Sequence, residues 1–394
     1  MVPRLMIAAI LSLSLVSVAA PADRLDLAAG KSLFERQWVS SPSTTHAGEG
    51  LGPIYDSRSC SACHAGGGPG VLSNSVGTGL LVRLGRHDGA QDPVYGAQLQ
   101  TKSLPGLVSE ATVSIGWSVI DGHRIPSLHM SDLGYGALSP GTYAAIRRAP
   151  SLRGASLLES VSDDAILAGE TRAHQQGLSG HAQIFTDTNG RHVGRWGWKA
   201  TAVDLTSQVA LALERDIGLS TSGHPDPWGE CTPAESACRD MAVRNADAPI
   251  EVPDTVRDLI VAYVGSLPAP ARPDDSSSGA AVFRRIGCGG CHGVLDARNG
   301  TTVDALTDLL LHDMGPELDD GIAEGGAKSS EWRTAPLWNV AEELAAGGLL
   351  HDGRARNVAE AVHWHGGEAS RTRKAFEALS AGDQAAIENY LLGK

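Results

Sequence analysis

The chain carries the pattern C-x-x-C-H twice, as Cys60-Ser61-Ala62-Cys63-His64 and as Cys288-Gly289-Gly290-Cys291-His292. Two thiols at this spacing can each add to one vinyl group of a porphyrin, and the adjacent histidine then reaches the iron from one face. Each segment therefore demands a short helical turn laid against a flat apolar group, and the surrounding chain must wrap that group. A four-cysteine zinc site would need Cys60/Cys63 and Cys288/Cys291 to converge, and would leave both histidines unexplained. A thioredoxin-like thiol pair needs a βαβ setting that neither segment has. The pattern predicts two covalently bound haem c groups. Cys60, Cys63, Cys288 and Cys291 are the attachment points, and His64 and His292 the proximal iron ligands.

Haem c is attached after export, and the N-terminus agrees. Arg4 is followed by an apolar run over Leu5 to Val16 and by the small-x-small pattern Ser17-Val18-Ala19, the form of a signal peptide over residues 1–19. No later run is long enough to span a bilayer, so a soluble periplasmic protein is expected. The remaining cysteines, Cys231 and Cys238 in "ECTPAESAC", are expected to close a disulfide in that oxidising compartment. A formal net charge of −13 argues against nucleic acid and anionic membranes as partners.

The segments around the two sites echo each other. "GKSLF" (Gly30 to Phe34) precedes the first site and "GAAVF" (Gly279 to Phe283) the second, each in the place of a short opening helix. "DTVRDLIVAYVGSL" and "SAGDQAAIENYLLGK" carry apolar residues at helical spacing and read as closing helices. "LPAPARPDDSSSG" between them reads as a linker. The expected fold is mainly α, with two cytochrome c-like haem domains over residues 20–270 and 271–394. The first is enlarged by loops and a few strands, read from "GTGLLVRLG" and "EATVSIGWSVI".

Axial ligands on both faces make a haem an electron carrier, whereas an open face binds peroxide or oxygen. In "HDGRARNVAEAVHWHGGEA", Val358, Ala361, Val362 and His365 fall on one helical stripe, so His365 faces inward and His363 away. His365 is the expected second ligand of the second haem, with Met314 in "LLLHDMGP" as the alternative. For the first haem, His123, His129, Met130, His174 and His181 are candidates, and none sits on a helical stripe. Aligning "RRAPSLRGASLLESV" with "RTAPLWNVAEELAAGGLLHDG" yields no counterpart of His365 in the first half. That leaves an open face with Glu159 as a nearby acid. Trp198, Trp196 and Trp117 are candidates for relaying electrons, with Trp198 foremost.

Together "LGPIYDSRSCSACHAGGGPG", "DPVYGAQLQ", "GRWGWKA", "TDLLLHDMGPEL", "EWRTAPLW" and "LLHDGRARNVAEAVHWHGGEA" closely resemble the bacterial di-haem oxidoreductase family once labelled "thiol oxidoreductase". It is similar to the di-haem cytochrome c peroxidase and MauG-type enzymes. The resemblance implies an N-terminal peroxidatic haem and a C-terminal electron-transfer haem. It also gives His365 the axial place that Met or Tyr fills in relatives. The partners it implies are peroxide or another small oxidant, or a protein side chain to be oxidised, and a small redox protein as electron donor or acceptor. Ca2+ between the domains enters by analogy alone. His181 in "GLSGHAQ" stands where the family pattern has a basic Arg or Lys.

Overall fold

The computed structural model describes residues 23–42, 50–188, 190–245, 250–271 and 273–394, so the leader expected at 1–19 lies outside the described residues. Two helix pairs are built alike. Asp23 accepts from the backbone N–H of Leu25 and Asp26 to start the helix Arg24–Glu35, which packs on the helix Asp254–Gly265. Ser277 caps the helix Ser278–Ile286 through Ala280 N–H, and Ser380 caps Ala381–Leu391 through Asp383 N–H; these two pack on each other as well. In both pairs a glycine lets the axes approach. A Cβ on Gly30 would strike the Leu259 carbonyl and lie 2.8 Å from Tyr263 Cβ. A Cβ on Gly279 would strike the Ala386 carbonyl and lie 2.9 Å from Tyr390 Cβ. One turn on, Phe34 meets Tyr263 with ring centroids 5.3 Å apart, and Phe283 meets Tyr390 at 5.6 Å. Each contact sits in its own apolar cluster.

The expectation of a mainly α chain with a few strands added is overturned. Helix accounts for 34% of the chain and strand for 19%, and the sheets among the described residues are small two-stranded ribbons. The cause lies in the 47 glycines and 20 prolines, which favour turns over long helices. The ribbon Leu80–Gly85/Tyr143–Arg148 and the hairpin Thr112–Ile120/His123–Ser131 enclose a third apolar cluster around Leu80, Val82, Tyr95 and Ile115. The hairpin turns at Asp121-Gly122, with φ of 51° and 84°, the two positive values that a tight two-residue turn requires.

Cys231 and Cys238 are joined, with Cα atoms 6.0 Å apart. This loop docks on the strand-rich region: Thr232 Oγ1 donates to the Val94 carbonyl at 2.6 Å, and Ala97 N–H donates to Glu230 at 3.1 Å. No helix among the described residues is long and apolar enough to cross a membrane.

Candidate haem cavity

Both C-x-x-C-H segments open onto one continuous cavity with about 2850 Å³ of empty space, its opening to solvent included. Ser59 Oγ accepts from Ala62 N–H at 3.2 Å and starts the turn Cys60–Cys63, and His64 N–H closes it on the Cys60 carbonyl at 2.9 Å. That turn puts Cys63 and His64 on the cavity wall. His64 is enclosed by protein yet keeps accessible surface, because that surface is the wall. Burial pushes its imidazole down to about 4, so it is neutral, and its buried Nδ1 has no hydrogen-bond partner.

At the other end Gly287, with φ of 100°, ends the helix Ser278–Ile286 and turns the chain into Cys288. His292 is also pushed down to about 4 by burial. Its Nδ1 lies 2.9 Å from the Leu306 carbonyl, which places the proton there and leaves the Nε2 lone pair free. His365 follows the helix Val358–His363, which Asn357 caps through Glu360 N–H at 2.8 Å. Its Nδ1 lies 2.6 Å from the Ala361 carbonyl, fixing the same tautomer, and burial lowers its pKa. His292, His365 and Met314 all border the cavity, and the two imidazoles are close enough that a charge on His365 would oppose one on His292.

These donors fit haem c. A neutral imidazole with its Nδ1 held by a carbonyl presents Nε2 to a metal. His292 and His365 meet that condition, and His64 is neutral. Cys60, Cys63, Cys288 and Cys291 form no disulfide. Burial pushes the thiols of Cys60 and Cys288 up to about 12 and that of Cys63 to about 11. A redox-active thiol needs the opposite shift, so the old thiol label has no support in these side chains.

The family model described as "Di-haem oxidoreductase, putative peroxidase" matches residues 141–393. The chain belongs to the di-haem oxidoreductase family. Haem cofactors and an oxidoreductase of peroxidase-like type follow from that membership. The matched span contains Cys288 to His292 and His365, while Cys60 to His64 precede it. No curated protein matches the chain.

In this family member the helix Leu205–Ile217 also borders the cavity. Asp204 and Ser207 form a capping box at its start, and Gln208, Leu211, Ala212, Arg215 and Asp216 recur along one face that borders the cavity. Gln208 Oε1 is buried without a donor. Asp216 accepts from Gln98 Nε2 at 2.9 Å; burial outweighs that bond and raises its pKa. The same Gln98 Nε2 lies 3.2 Å from Asp56, a fully buried carboxyl that burial pushes up to about 7. Trp198 borders the cavity and donates its Nε1–H to the Arg148 carbonyl at 2.7 Å. Arg148 in turn pairs with Glu343 at 3.0 Å, and burial pushes that carboxyl up to about 7. His312 is opposed by burial but held protonated by Asp308 at 2.9 Å and Glu368 at 3.1 Å, which take it up to about 12.

Of the other residues singled out from the sequence, Cys60 and Glu159 are not on the wall. Glu159 instead accepts from Trp196 Nε1 at 3.0 Å and Leu205 N–H at 3.1 Å, anchoring the start of the long helix. None of His123, His129, Met130, His174 and His181 borders the cavity. His181 lies 3.2 Å from Glu331, and His123 stacks on His363 at 3.6 Å. Trp117 lies beneath the guanidinium of Arg124. Sequence reasoning missed Gln208, Asp216, His351, Arg333 and Glu343 as wall residues. The first two were within reach, because "LTSQVALALERDI" sets Gln208 and Asp216 eight residues apart on one helix face, together with Leu211, Ala212 and Arg215.

Proposed function

We propose that the chain is an exported di-haem c oxidoreductase of peroxidase type. In this reading Cys60, Cys63 and His64 hold one haem, and Cys288, Cys291 and His292 the other. His365 is the second axial ligand of the latter, with Met314 as the alternative donor. The observation that carries the reading is the inequality of the two ends of the cavity. Two tautomer-fixed histidines and a methionine border the His292 end, whereas the Leu205–Ile217 helix offers Gln208 and Asp216, and the further wall histidine, His351, is stacked flat on Trp332. A glutamine and a carboxyl whose pKa burial raises are suited to hydrogen bonding and proton transfer rather than to ligating haem iron.

Haem c, when bound, supplies a one-electron couple at each iron and, where one face is open, a place for peroxide. Reduction of peroxide to water takes two electrons and two protons. Asp216, with its raised pKa, holds a proton at the cavity wall further up the pH scale than an ordinary aspartate. Gln98 Nε2 spans Asp216 and Asp56, so the two buried carboxyls form one short polar chain leading to the wall. Gln208 Oε1, buried and lacking a donor, accepts a hydrogen bond from a peroxide proton and orients it. Electrons come from a small redox protein, and a formal net charge of −13 favours a basic one. Export is supported by the leader pattern and the Cys231–Cys238 disulfide.

Electron paramagnetic resonance of the ferric protein tests this reading. One high-spin and one low-spin haem are expected, with carbon monoxide binding to one of them after reduction. Two low-spin haems and no carbon monoxide binding would make the protein an electron-transfer cytochrome instead. In His365→Ala the second haem should also turn high-spin; an unchanged spectrum transfers the ligand role to Met314.

A further inference from the structure

The cavity wall contains one arginine whose charge the protein leaves unanswered. Each of the other wall arginines has a carboxylate within 4.0 Å, from Arg147 with Asp320 and Glu324 to Arg373 with Glu377. Lys199, also deep in the protein, has Asp320 at 3.8 Å. Arg333 is different. It ends the strand Glu331–Arg333, is 7% exposed, and is held only by carbonyls: Nε donates to Gly197 at 2.9 Å and Nη1 to Thr334 at 3.1 Å. Among the described residues no carboxylate pairs with it, and no protein acceptor takes Nη2.

Burial drags its pKa down to about 10, and the more distant Asp308 offsets only part of that. Asp308 is already engaged by His312 at 2.9 Å. A buried cation without a counter-charge is destabilising unless something supplies one. Two carbonyls fix the guanidinium plane, and the free edge belongs to a residue bordering the cavity. A fixed guanidinium fork of this kind matches a carboxylate.

We infer that Arg333 binds a propionate carboxylate of one of the two haems. The inference rests on the haem-binding reading above and deepens it. The bond replaces the missing counter-charge, so Arg333 is a cofactor-binding residue that also sets the electrostatics of the iron it serves. Positive charge beside a haem favours the reduced state, because reduction adds an electron to the site. Ion pairing also keeps the propionate ionised.

The test uses the full-length holoprotein carrying Arg333→Gln and, separately, Arg333→Lys. Haem content from the pyridine haemochrome and spin states from electron paramagnetic resonance are measured first. A wild-type protein without two haems overturns the di-haem reading itself. With two haems present, Arg333→Gln should lower the midpoint potential of one haem and leave the other in place. That potential should also become more dependent on pH, as the released propionate begins to titrate. Arg333→Lys keeps the charge but not the fork, and should shift the propionate bending band in resonance Raman while largely preserving the potential. Unchanged potentials and pH profile in Arg333→Gln overturn the assignment. If that variant does not fold, an unmoved propionate band in Arg333→Lys overturns it.

Discussion

The indole of Trp332 lies flat on the imidazole of His351, with 3.7 Å between ring centroids and 7° between planes. Trp198 meets the same imidazole edge-on at 6.4 Å. The two tryptophans flank one histidine but differ in electrostatic surroundings. Lys199 Nζ stands 3.8 Å from the centre of the Trp332 ring and the Arg147 guanidinium 4.9 Å from it. Those cations are attracted to a neutral ring and would repel one that had lost an electron. Both indoles donate N–H to a carbonyl, Trp332 to Leu318 at 2.8 Å and Trp198 to Arg148 at 2.7 Å, so the cations over Trp332 are what sets the two apart. Electron exchange between the haems is therefore expected to depend on Trp198. Trp198→Phe should slow it by roughly tenfold, about 1.4 kcal/mol in the barrier, and Trp332→Phe should leave it nearly unchanged. Stopped-flow absorbance of the half-reduced protein reads both rates; equal slowing in the two variants would refute the distinction.

The Asp216–Gln98–Asp56 chain leads to a second expectation. If Asp216 delivers the proton, Asp216→Asn should lower peroxide turnover by about 10²-fold, the lower end of what general acid catalysis contributes. Haem content should not change. Asp56 is pushed up to about 7 by burial, so turnover should decline as pH rises through that value, and Asp56→Asn should remove that limb of the profile. Steady-state peroxide assays between pH 5 and 9 decide it.

A third expectation concerns stability. Glu110 and Glu235 are fully buried, face each other within hydrogen-bond reach, and each keeps one oxygen with no donor. Burial raises both, Glu235 from its ordinary 4.5 to about 7. The folded chain then binds more protons than the unfolded one between those values, so stability falls as pH rises across that window and levels off above it. Glu235→Gln removes the charge but can keep the bond from Thr232 N–H. It should match the wild type near pH 5 and exceed it at pH 8 by on the order of 1–3 kcal/mol. Thermal unfolding at the two pH values measures this, and a gain equal at both would contradict it.

Gly279 provides a mutation with a local signature. Gly279→Ala drives a methyl into the Ala386 carbonyl and against Tyr390, an overpacking that costs about 1–3 kcal/mol. A lower Tm is expected, together with disturbance of the Phe283–Tyr390 contact beside His292. Near-ultraviolet circular dichroism follows the aromatic contact, and Gly382→Ala, which meets only Ser380 Oγ at 3.8 Å, is the neutral control.

What could be read from the sequence is what lies close together in the chain. The repeated segments Gly30 to Phe34 and Gly279 to Phe283 mark the two opening helices, whereas the helices they cross come from far along the chain. The place of His365 on the wall follows from the stripe Val358, Ala361, Val362 and His365, one local run of chain. Glu159 shows where this stops. Aligning the two halves across a six-residue gap set it near the first haem, but its orientation depends on Trp196 and Leu205, which both donate to its Oε2 and draw it to the start of the Leu205–Ile217 helix. Glu343 and Arg333 reach the wall only through pairing with Arg148 and packing beneath Gly197, long-range relations that no local pattern carries. The ribbons escaped a helix-dominated reading for a related reason: turns such as Asp121-Gly122 are local signals, but which strands they join into a cavity wall is not.

Arg148 has one further consequence. From the first half of the chain it donates to the carbonyls of Gly70 and Gly348 and pairs with Glu343, binding a strand before the linker to residues some two hundred positions later. The wall that His64 borders is therefore completed by residues from the far half of the chain. A haem held there as proposed would be enclosed only once both halves have folded against each other, so enclosure of the cofactor and docking of the halves are one event.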